Sequence, residues 1–357
     1  MNAMDLFSCF LLLVVVLYRC SISDLFSGTL NSTYLTPATT KSLRGLFSII
    51  VVLDHMYQMS GSGLLFPVFI RTGYMAVGFF FFISGYGLMK RNLTDKTYHK
   101  GFLVKRIPSI LIPYILANFV YWLYNLLSGT RYSVSDFFSR IAVGDPIVSN
   151  SWYIICILLC YVFFWISICT TRKHPALTIA ATMLFCAGYM AACIHLDFSP
   201  HWIKCIAAFP MGLIWAIWER QLLKLVGKAY FSVTVLVFVL FGSSLLLQML
   251  YGNMSRPPLM QAFFCNITIL LFVLCLILVT QKLKICNPIL DYFGERSLEI
   301  YLYHGLFLLL LRPLLAYPNG VLLYFLTTFA TSIAMAHITC IVNKWLLKHW
   351  SKLLRTH

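Results

Sequence analysis

The chain has 357 residues, of which 60% are hydrophobic and only 11% are charged. Soluble domains carry roughly 25% charged residues, so this composition excludes an ordinary soluble protein and indicates a polytopic membrane protein. The formal net charge of +16 does not indicate nucleic acid binding. Basic residues in so apolar a chain usually set the orientation of loops or contact anionic lipid, and no soluble domain is present to bind DNA.

Stretches of about 17 to 25 mostly apolar residues can cross a bilayer as helices. The sequence predicts an all-α, polytopic transmembrane helical bundle, with about ten core helices plus one extra N-terminal helix. The eleven predicted spans are 4–22, 43–59, 73–89, 108–127, 148–169, 175–194, 201–218, 229–250, 260–281, 297–315 and 320–346. No Lys or Arg precedes the first apolar run, which favours an uncleaved anchor over a signal peptide.

The distribution of Lys and Arg predicts one orientation for the whole chain. The loop 90–107 carries six basic residues, namely Lys90, Arg91, Lys96, Lys100, Lys105 and Arg106. Cytoplasmic loops carry an excess of Lys and Arg, so we expect this loop on the cytoplasmic side. Alternation from there also places Arg172 and Lys173, the basic residues near 220–228 and 282–296, and the tail with Lys344 and Arg355 inside. The C-terminus is therefore expected to be cytoplasmic.

The segment 41–57 is an apolar helix with a basic residue near its start and a titratable pair in its second half. Arg44 and His55 are eleven residues apart, which at about 100° per residue places both side chains on one helical face. They are separated by about 16 Å along the axis, around half the thickness of the hydrocarbon core. Asp54 is adjacent to His55 and therefore points about 100° away from it, so it is not expected to orient that imidazole.

Two further segments carry polar or small residues within apolar helices. The segment 73–91 combines an aromatic block with Ser84, Gly85 and Gly87, which predicts either close helix packing or a thin wall beside His55 that a ligand chain can pass. Residues Ser297, Tyr301 and His304 fall on one helical face, and this indicates either a lined cavity or hydrogen bonds between helices. Glu299 lies off that face.

Other candidate sites are weaker. Trp152 and Tyr153, at the start of their helix, are typical of an interfacial aromatic belt but also suit a sugar platform. The outer cluster of His195, Asp197 and His201 matches no metal motif, so no metal site is predicted. The twelve cysteines contain no CxxC pair and are interpreted as small buried hydrophobic residues.

Taken together, these residues resemble the acyltransferase-3 family of integral-membrane acyltransferases. The run from Arg44 to His55 resembles its R-X10-H signature. Further similar blocks follow in the same order at 73–88, 102–114, 151–159 and 297–304. The resemblance covers about 41–346, so the expected organisation is an anchor helix and linker at 1–40, the acyltransferase domain at 41–346 and a basic tail at 347–357. The first 40 residues are an addition to the usual ten-helix core, and the hydrolase domain fused to some members is missing.

The resemblance implies transfer of an acyl group, most often acetyl from cytoplasmic acetyl-CoA, to a hydroxyl of a surface or lipid-linked carbohydrate at the plasma membrane. In that scheme His55 is the general base, and Arg44 pairs with the phosphates of coenzyme A. The basic residues Lys90, Arg91, Lys105 and Arg106 attract the same phosphates. Ser84, Trp152, Tyr301 and His304 are the further candidates for contacts with donor or acceptor.

Three alternatives remain open from the sequence. In a relay, His55 or Ser84 carries a transient acyl group, although Ser84 lacks the G-x-S-x-G context of a nucleophile elbow. A sensor or scaffold without turnover is another alternative, but it leaves Arg44 and His55 without a role. A bundle with a polar central line is also compatible with export of a polysaccharide or lipid-linked sugar without acyl transfer. The clear internal repeat typical of many secondary transporters is not evident.

Overall fold

The computed structural model describes residues 3–22, 29–60, 69–95, 97–171, 174–251, 256–285, 287–317 and 320–353. Within these residues there are fourteen α-helices: α1 Ala3–Leu17, α2 Pro37–Ser60, α3 Gly73–Thr94, α4 Phe102–Arg106, α5 Pro108–Leu127, α6 Val134–Ala142, α7 Trp152–Thr170, α8 Pro175–His195, α9 Ala208–Lys228, α10 Tyr230–Tyr251, α11 Pro258–Lys282, α12 Pro288–Glu295, α13 Ser297–Leu310 and α14 Gly320–Leu353. Two three-residue strands, β1 Cys20–Ile22 and β2 Leu283–Ile285, are the remaining regular elements besides short 3-10 turns.

The helices confirm the all-α membrane bundle. Each of the eleven predicted spans coincides with a helix. In the described residues, six helices are long and apolar enough to cross a membrane, namely α5, α7, α8, α10, α11 and α14. The basic residues Lys96, Arg172, Lys173 and Arg355 of the orientation argument lie outside the described residues. The predicted tail at 347–357 continues α14 as far as Leu353.

Several boundaries differ from the prediction for local reasons. The first helix ends at Leu17 rather than at residue 22, because β1 pairs antiparallel with β2. The predicted span 201–218 is displaced to α9, which begins at Ala208. Asn266 of α11 explains this shift, since its side chain accepts the N–H of Ala207 and donates to the carbonyl of Ile203. These bonds hold the preceding loop in a non-helical conformation.

Three short helices, α4, α6 and α12, were not predicted, and two of them begin with a side-chain cap. Helix α6 begins with a capping box, in which the Ser133 side chain accepts the backbone N–H of Asp136 and the Asp136 carboxylate accepts the N–H of Ser133. Helix α12 begins at Asn287, whose side chain accepts the N–H groups of Ile289 and Leu290. Both caps are readable as sequence signals, but neither helix is long enough to span a membrane.

Close approach of helices fixes the position of α2 and α3. A Cβ atom at Gly85 of α3 would overlap the carbonyl of Phe209, and one at Gly45 of α2 would overlap the carbonyl of Leu290 in α12. The predicted packing role of small residues in 73–91 therefore holds at Gly85. Gly87 differs, because a Cβ atom there would meet nothing within 4 Å. That position faces open space.

The N-terminal segment is joined to the bundle by hydrogen bonds across long sequence separations. The backbone N–H of Asn31 donates to the carbonyl of Gln281 at 3.0 Å, and its side chain donates to Thr280. Lys282 donates to the carbonyl of Thr29 at 2.9 Å. Residues 29–36 thus lie against the end of α11 before α2 begins at Pro37.

Candidate functional site

Arg44 and His55 lie on the single helix α2 and line two different cavities. The Arg44 cavity has a volume of about 760 Å³ and the His55 cavity about 460 Å³. The two sets of lining residues have no member in common. One helix therefore contributes a guanidinium to one cavity and an imidazole to the other.

The Arg44 cavity lies at the end of the bundle that carries the basic loop 90–107. Helices α2, α3, α4, α7 and α9 and the segment before α2 form it. Its lining includes Ser32, Tyr34, Thr36, Thr40, Arg44, Ser84, Tyr86, Gly87, Lys90, Arg91, Arg106, Tyr161 and Glu219. Of the predicted site residues on this side, Lys105 is the exception, because it is exposed and outside the lining.

The guanidinium of Arg44 has hydrogen-bonding capacity to spare. Its Nε atom is buried and has no hydrogen-bond partner among the described residues. No carboxylate of the described chain lies within 4.0 Å of its nitrogens. A buried N–H group without an acceptor is costly unless a ligand supplies one. Arg44 is therefore suited to an anionic ligand in this cavity.

Lys90, by contrast, is already paired. It forms an ion pair with Glu219 and lies over the ring of Tyr86. The Glu219 carboxylate also accepts the hydroxyl of Tyr34 at 2.5 Å and that of Tyr86 at 2.9 Å. The indole N–H of Trp215 donates to the Tyr34 hydroxyl at 2.8 Å. Because its charge is compensated by Glu219, Lys90 is less available than Arg44 to an anionic ligand.

The other basic residues of the Arg44 cavity are loosely held. Arg91 is exposed and its guanidinium lies 3.8 Å from the carboxylate of Asp95. The Nε atom of exposed Arg106 donates to the hydroxyl of Tyr98 at 3.1 Å. Exposed pairs of this kind contribute little to stability, so both side chains are available to a competing anion. Ser84 lines the same cavity and is therefore not in the cavity of His55.

The His55 cavity is lined by amide, aromatic and charged groups. Its lining is Val51, Asp54, His55, Tyr57, Gln58, Ile70, Arg71, Gly73, Tyr74, Val77, Asn150, Trp152, His201, Lys204, Gln248, Cys265 and Tyr301. Both Trp152 and Tyr301 thus line the same cavity as His55. His304 is fully buried behind this lining.

His55 is hydrogen-bonded to His304. The Nδ1 atom of His55 lies 2.7 Å from Nε2 of His304, and Nδ1 of His304 lies 3.0 Å from the carbonyl oxygen of Ile300. A carbonyl can only accept, so His304 carries its proton on Nδ1 and its Nε2 accepts from Nδ1–H of His55. In this assignment of neutral tautomers, Nε2 of His55 keeps an unprotonated lone pair. The late polar face at 297–304 indicated His304, but its pairing with His55 was not predicted.

The neighbouring polar groups hold this pair in place. The hydroxyl of Tyr301 donates to the backbone carbonyl of Asn150, and the Asn150 side chain lies 3.4 Å from Nε2 of His304. Because a phenol has one proton, the Tyr301 hydroxyl is already committed as a donor. Tyr301 is better placed to present its ring to a ligand than to donate a hydrogen bond to one.

Asp54 has a different role from that of an orienting carboxylate. Its Oδ2 accepts from Gln58 at 2.8 Å, and the carboxylate lies at the start of α3, where a Cβ atom on Gly73 would be only 2.6 Å away. The hydrogen-bond partner of His55 is His304 instead. The expectation that adjacent helical residues point apart therefore describes Asp54 and His55 correctly.

An aromatic cluster around Tyr153 packs beside the His55 cavity. Tyr153 lines neither cavity, and its ring lies 5.3 Å from that of Tyr301, which lines the His55 cavity. Phe80 and Phe81 of α3 pack on the same ring at 6.1 and 5.1 Å. We interpret these packed rings as an aromatic partition between the two cavities.

Cysteine and metal-ligand residues add no further site in the described part of the chain. The cysteines whose side chains are described are free, and most are buried. No group of three or more His, Cys, Asp or Glu residues that could hold a metal is found among the described residues.

Comparison with known protein families identifies one family that matches most of the chain. A family model described as an acyltransferase domain matches residues 41–340, which include both Arg44 and His55. Comparisons with curated proteins and with solved structures give no significant match. With a match over most of its length and a bundle of membrane-spanning helices, this multi-pass protein is an acyltransferase that belongs to the acyltransferase-3 family.

Proposed function

We propose that this protein transfers an acyl group, most often acetyl, from acyl-CoA bound in the Arg44 cavity to a carbohydrate hydroxyl bound in the His55 cavity. The main support for the proposal is that α2 contributes Arg44 to one cavity and His55 to another. One cavity holds an unpaired guanidinium, and the other holds an imidazole with a free lone pair. A polyanionic donor and a hydroxylated acceptor match these two environments.

Arg44 is the proposed anchor for the phosphates of the donor. Its planar fork can grip two phosphate oxygens at once, and its Nε atom lacks a partner in the described chain. Arg91 and Arg106 line the same cavity and are held only by exposed contacts. Lys105 lies outside the lining and would contribute only long-range attraction.

His55 is the proposed general base. Its Nε2 atom takes the proton of the acceptor hydroxyl while the oxygen of that hydroxyl attacks the thioester carbonyl. The tetrahedral intermediate then collapses with cleavage of the carbon–sulfur bond, and His55 returns the proton to the departing thiolate. The products are an ester and free coenzyme A.

His304 is the proposed positioning residue for this base. Its Nε2 lone pair accepts Nδ1–H of His55, which keeps the reactive tautomer and fixes the ring, with the two rings stacked at 4.8 Å between centroids. It also stabilises the imidazolium that forms when His55 takes a proton, as a hydrogen-bonded third group does in catalytic triads. His304 itself does not line the cavity.

Trp152 and Tyr301 are the proposed surface for the sugar ring of the acceptor. Both line the His55 cavity, and Trp152 lies 6.5 Å from the ring of His201. Aromatic rings present apolar faces to sugars, while Gln58, Asn150 and Gln248 provide amide groups around them.

The aromatic partition defines two versions of the reaction. In direct transfer, Tyr153 must move so that the thioester reaches His55. In a relay, a group on the donor side is acylated first, and Ser84 lines that cavity. Mass spectrometry of protein quenched during turnover distinguishes them, because only a relay leaves an acyl group on Ser84 or His55.

The basic end of the bundle is the proposed cytoplasmic side. Lys90, Arg91, Lys105 and Arg106 are gathered there, as the excess of basic residues in cytoplasmic loops requires. Acyl-CoA is then bound from the cytoplasm of a cell whose plasma membrane contains the protein, and the acceptor enters from outside. The proposed partners are thus acyl-CoA, a carbohydrate acceptor and the bilayer.

Release of thiol from acetyl-CoA tests the proposal. Purified protein in lipid nanodiscs is mixed with acetyl-CoA and with acceptor extracted from cells that make it, and free thiol is measured. We expect release that requires both the acceptor and His55. An exporter would release none, and acceptor-independent release that persists in His55→Ala would contradict the assigned base.

A further inference from the structure

The His55 cavity contains two cationic side chains that the reaction scheme does not use. Arg71 and Lys204 both line it, and Arg71 is exposed at its rim. Neither forms an ion pair with a carboxylate of the described chain within 4.0 Å. An uncharged polyhydroxy acceptor would accept hydrogen bonds from these two cations but would leave both charges uncompensated.

The one carboxylate in the lining forms no ion pair with either cation. Asp54 is buried and lies against the start of α3, where its Oδ2 accepts from Gln58 and its Oδ1 has no hydrogen-bond partner in the described chain. The segment 61–68, which precedes Arg71 in the chain and lies outside the described residues, has the sequence GSGLLFPV and contains no acidic residue. The local sequence therefore offers no second carboxylate to neutralise the pair.

The backbone at Arg71 adds an independent observation. The turn Phe69–Thr72 is closed by a hydrogen bond of 3.0 Å from the N–H of Thr72 to the carbonyl of Phe69. Arg71 occupies its third position with φ of 64°. That position of a turn favours glycine, because a side chain there crowds the backbone. A long cation is thus retained at a position where backbone preference opposes it, beside a cavity that it lines.

We infer that the acceptor carries an anionic group, a carboxylate or a phosphate, that binds between Arg71 and Lys204 while its hydroxyl lies at His55. This inference rests on the proposed function and names the class of its second substrate. A guanidinium fork and an ammonium together suit either oxyanion. The cavity volume of about 460 Å³ is within the range of small-molecule sites, which suits a single charged sugar unit.

The native product tests the inference directly. Membranes from cells that naturally make the protein are incubated with radiolabelled acetyl-CoA, and the labelled carbohydrate is separated by anion exchange. We expect the label to be retained. Reduction of carboxylates with carbodiimide and borohydride abolishes retention if the charge is a sugar acid, whereas mild acid abolishes it if the charge is a phosphate linkage. Label that elutes as a neutral product overturns the inference.

Variants of Arg71 and Lys204 test whether these two residues bind the anionic group of the acceptor. With acceptor purified from cells that lack the protein, Arg71→Gln and Lys204→Gln are each expected to raise the KM for acceptor about tenfold and to leave the KM for acetyl-CoA unchanged. Arg131→Gln, which removes an exposed cation outside the cavity lining, is the matched control and should change neither. Unchanged acceptor KM in both variants also overturns the inference. A wild-type membrane that labels no carbohydrate at all contradicts acyl transfer itself, so the two failures are distinguishable.

Discussion

The Arg44 cavity and the His55 cavity differ in how much of their polar chemistry the protein itself satisfies. In the first, Lys90 is neutralised by Glu219, while the guanidinium of Arg44 has an unpaired nitrogen. In the second, His55 lines the cavity and its tautomer is set by His304, and in that tautomer Nε2 of His55 keeps an unprotonated lone pair. Each cavity thus contains one group that remains available to a ligand, the guanidinium of Arg44 in the first and the imidazole of His55 in the second.

This difference suits two unlike substrates. A cavity rich in arginine matches a polyanion, and a cavity with a neutral base between aromatic and amide groups matches a hydroxyl that must lose a proton. The same helix carries both groups, so their separation is set by the backbone of α2 rather than by a flexible loop. The variants below disturb one cavity while the other serves as its control.

The largest effect is expected for His55→Ala. Loss of a general base should lower the rate of transfer by about 10²- to 10⁴-fold while donor affinity at the Arg44 cavity stays unchanged. Thiol release and binding of labelled CoA measure the two quantities. His337→Ala is the matched control, because His337 is bonded to Tyr292 at 3.0 Å and lines neither cavity. Near wild-type turnover in His55→Ala would exclude this base.

The next effect is expected for His304→Leu, which removes the acceptor for Nδ1–H of His55. We expect kcat to fall on the order of 10- to 100-fold with little change in the KM for either substrate, because His304 touches no ligand. His304→Asn offers a side-chain oxygen as an alternative acceptor and should restore part of the rate. Equal loss in both variants, or a change confined to KM, would argue against a positioning role.

A smaller effect is expected for Arg44→Lys. The charge is kept but the fork is lost, so the dissociation constant for CoA should rise about tenfold, and Arg44→Ala should weaken binding further. Lys105→Ala is the control, since this exposed basic residue lies outside the cavity lining and should change CoA affinity little. Equilibrium binding in nanodiscs measures all three. Affinity independent of the side chain at position 44 would remove Arg44 from the donor site.

The smallest effect is expected for Tyr34→Phe. It deletes one of the two tyrosine hydroxyls that donate to Glu219, so the free energy of unfolding should fall by about 1 kcal/mol. Thermal denaturation in detergent measures this loss, with Tyr317→Phe as the control because Tyr317 is 64% exposed. A stability equal to that of the control would mean that the contact adds nothing to the fold.

Local sequence was enough to locate the eleven long helical segments, and it predicts a shared face for Arg44 and His55. Hydrophobic runs and helical periodicity depend on neighbouring residues, so they are visible in the chain itself. The late face with Tyr301 and His304 was visible for the same reason. The separation of Asp54 from His55 followed from the angle between adjacent helical residues.

Contacts between distant residues were decided only by the tertiary structure. The pair His55–His304 joins residues 249 positions apart, and Tyr34 reaches Glu219 across 185 positions. The partition by Tyr153 and the exclusion of Lys105 from the Arg44 cavity likewise depend on how helices pack against one another. The sequence by itself determined which groups each helix carries and on which face. Tertiary packing decided which of them meet, because periodicity orients a side chain about its own helix but does not specify the neighbouring helix that it contacts.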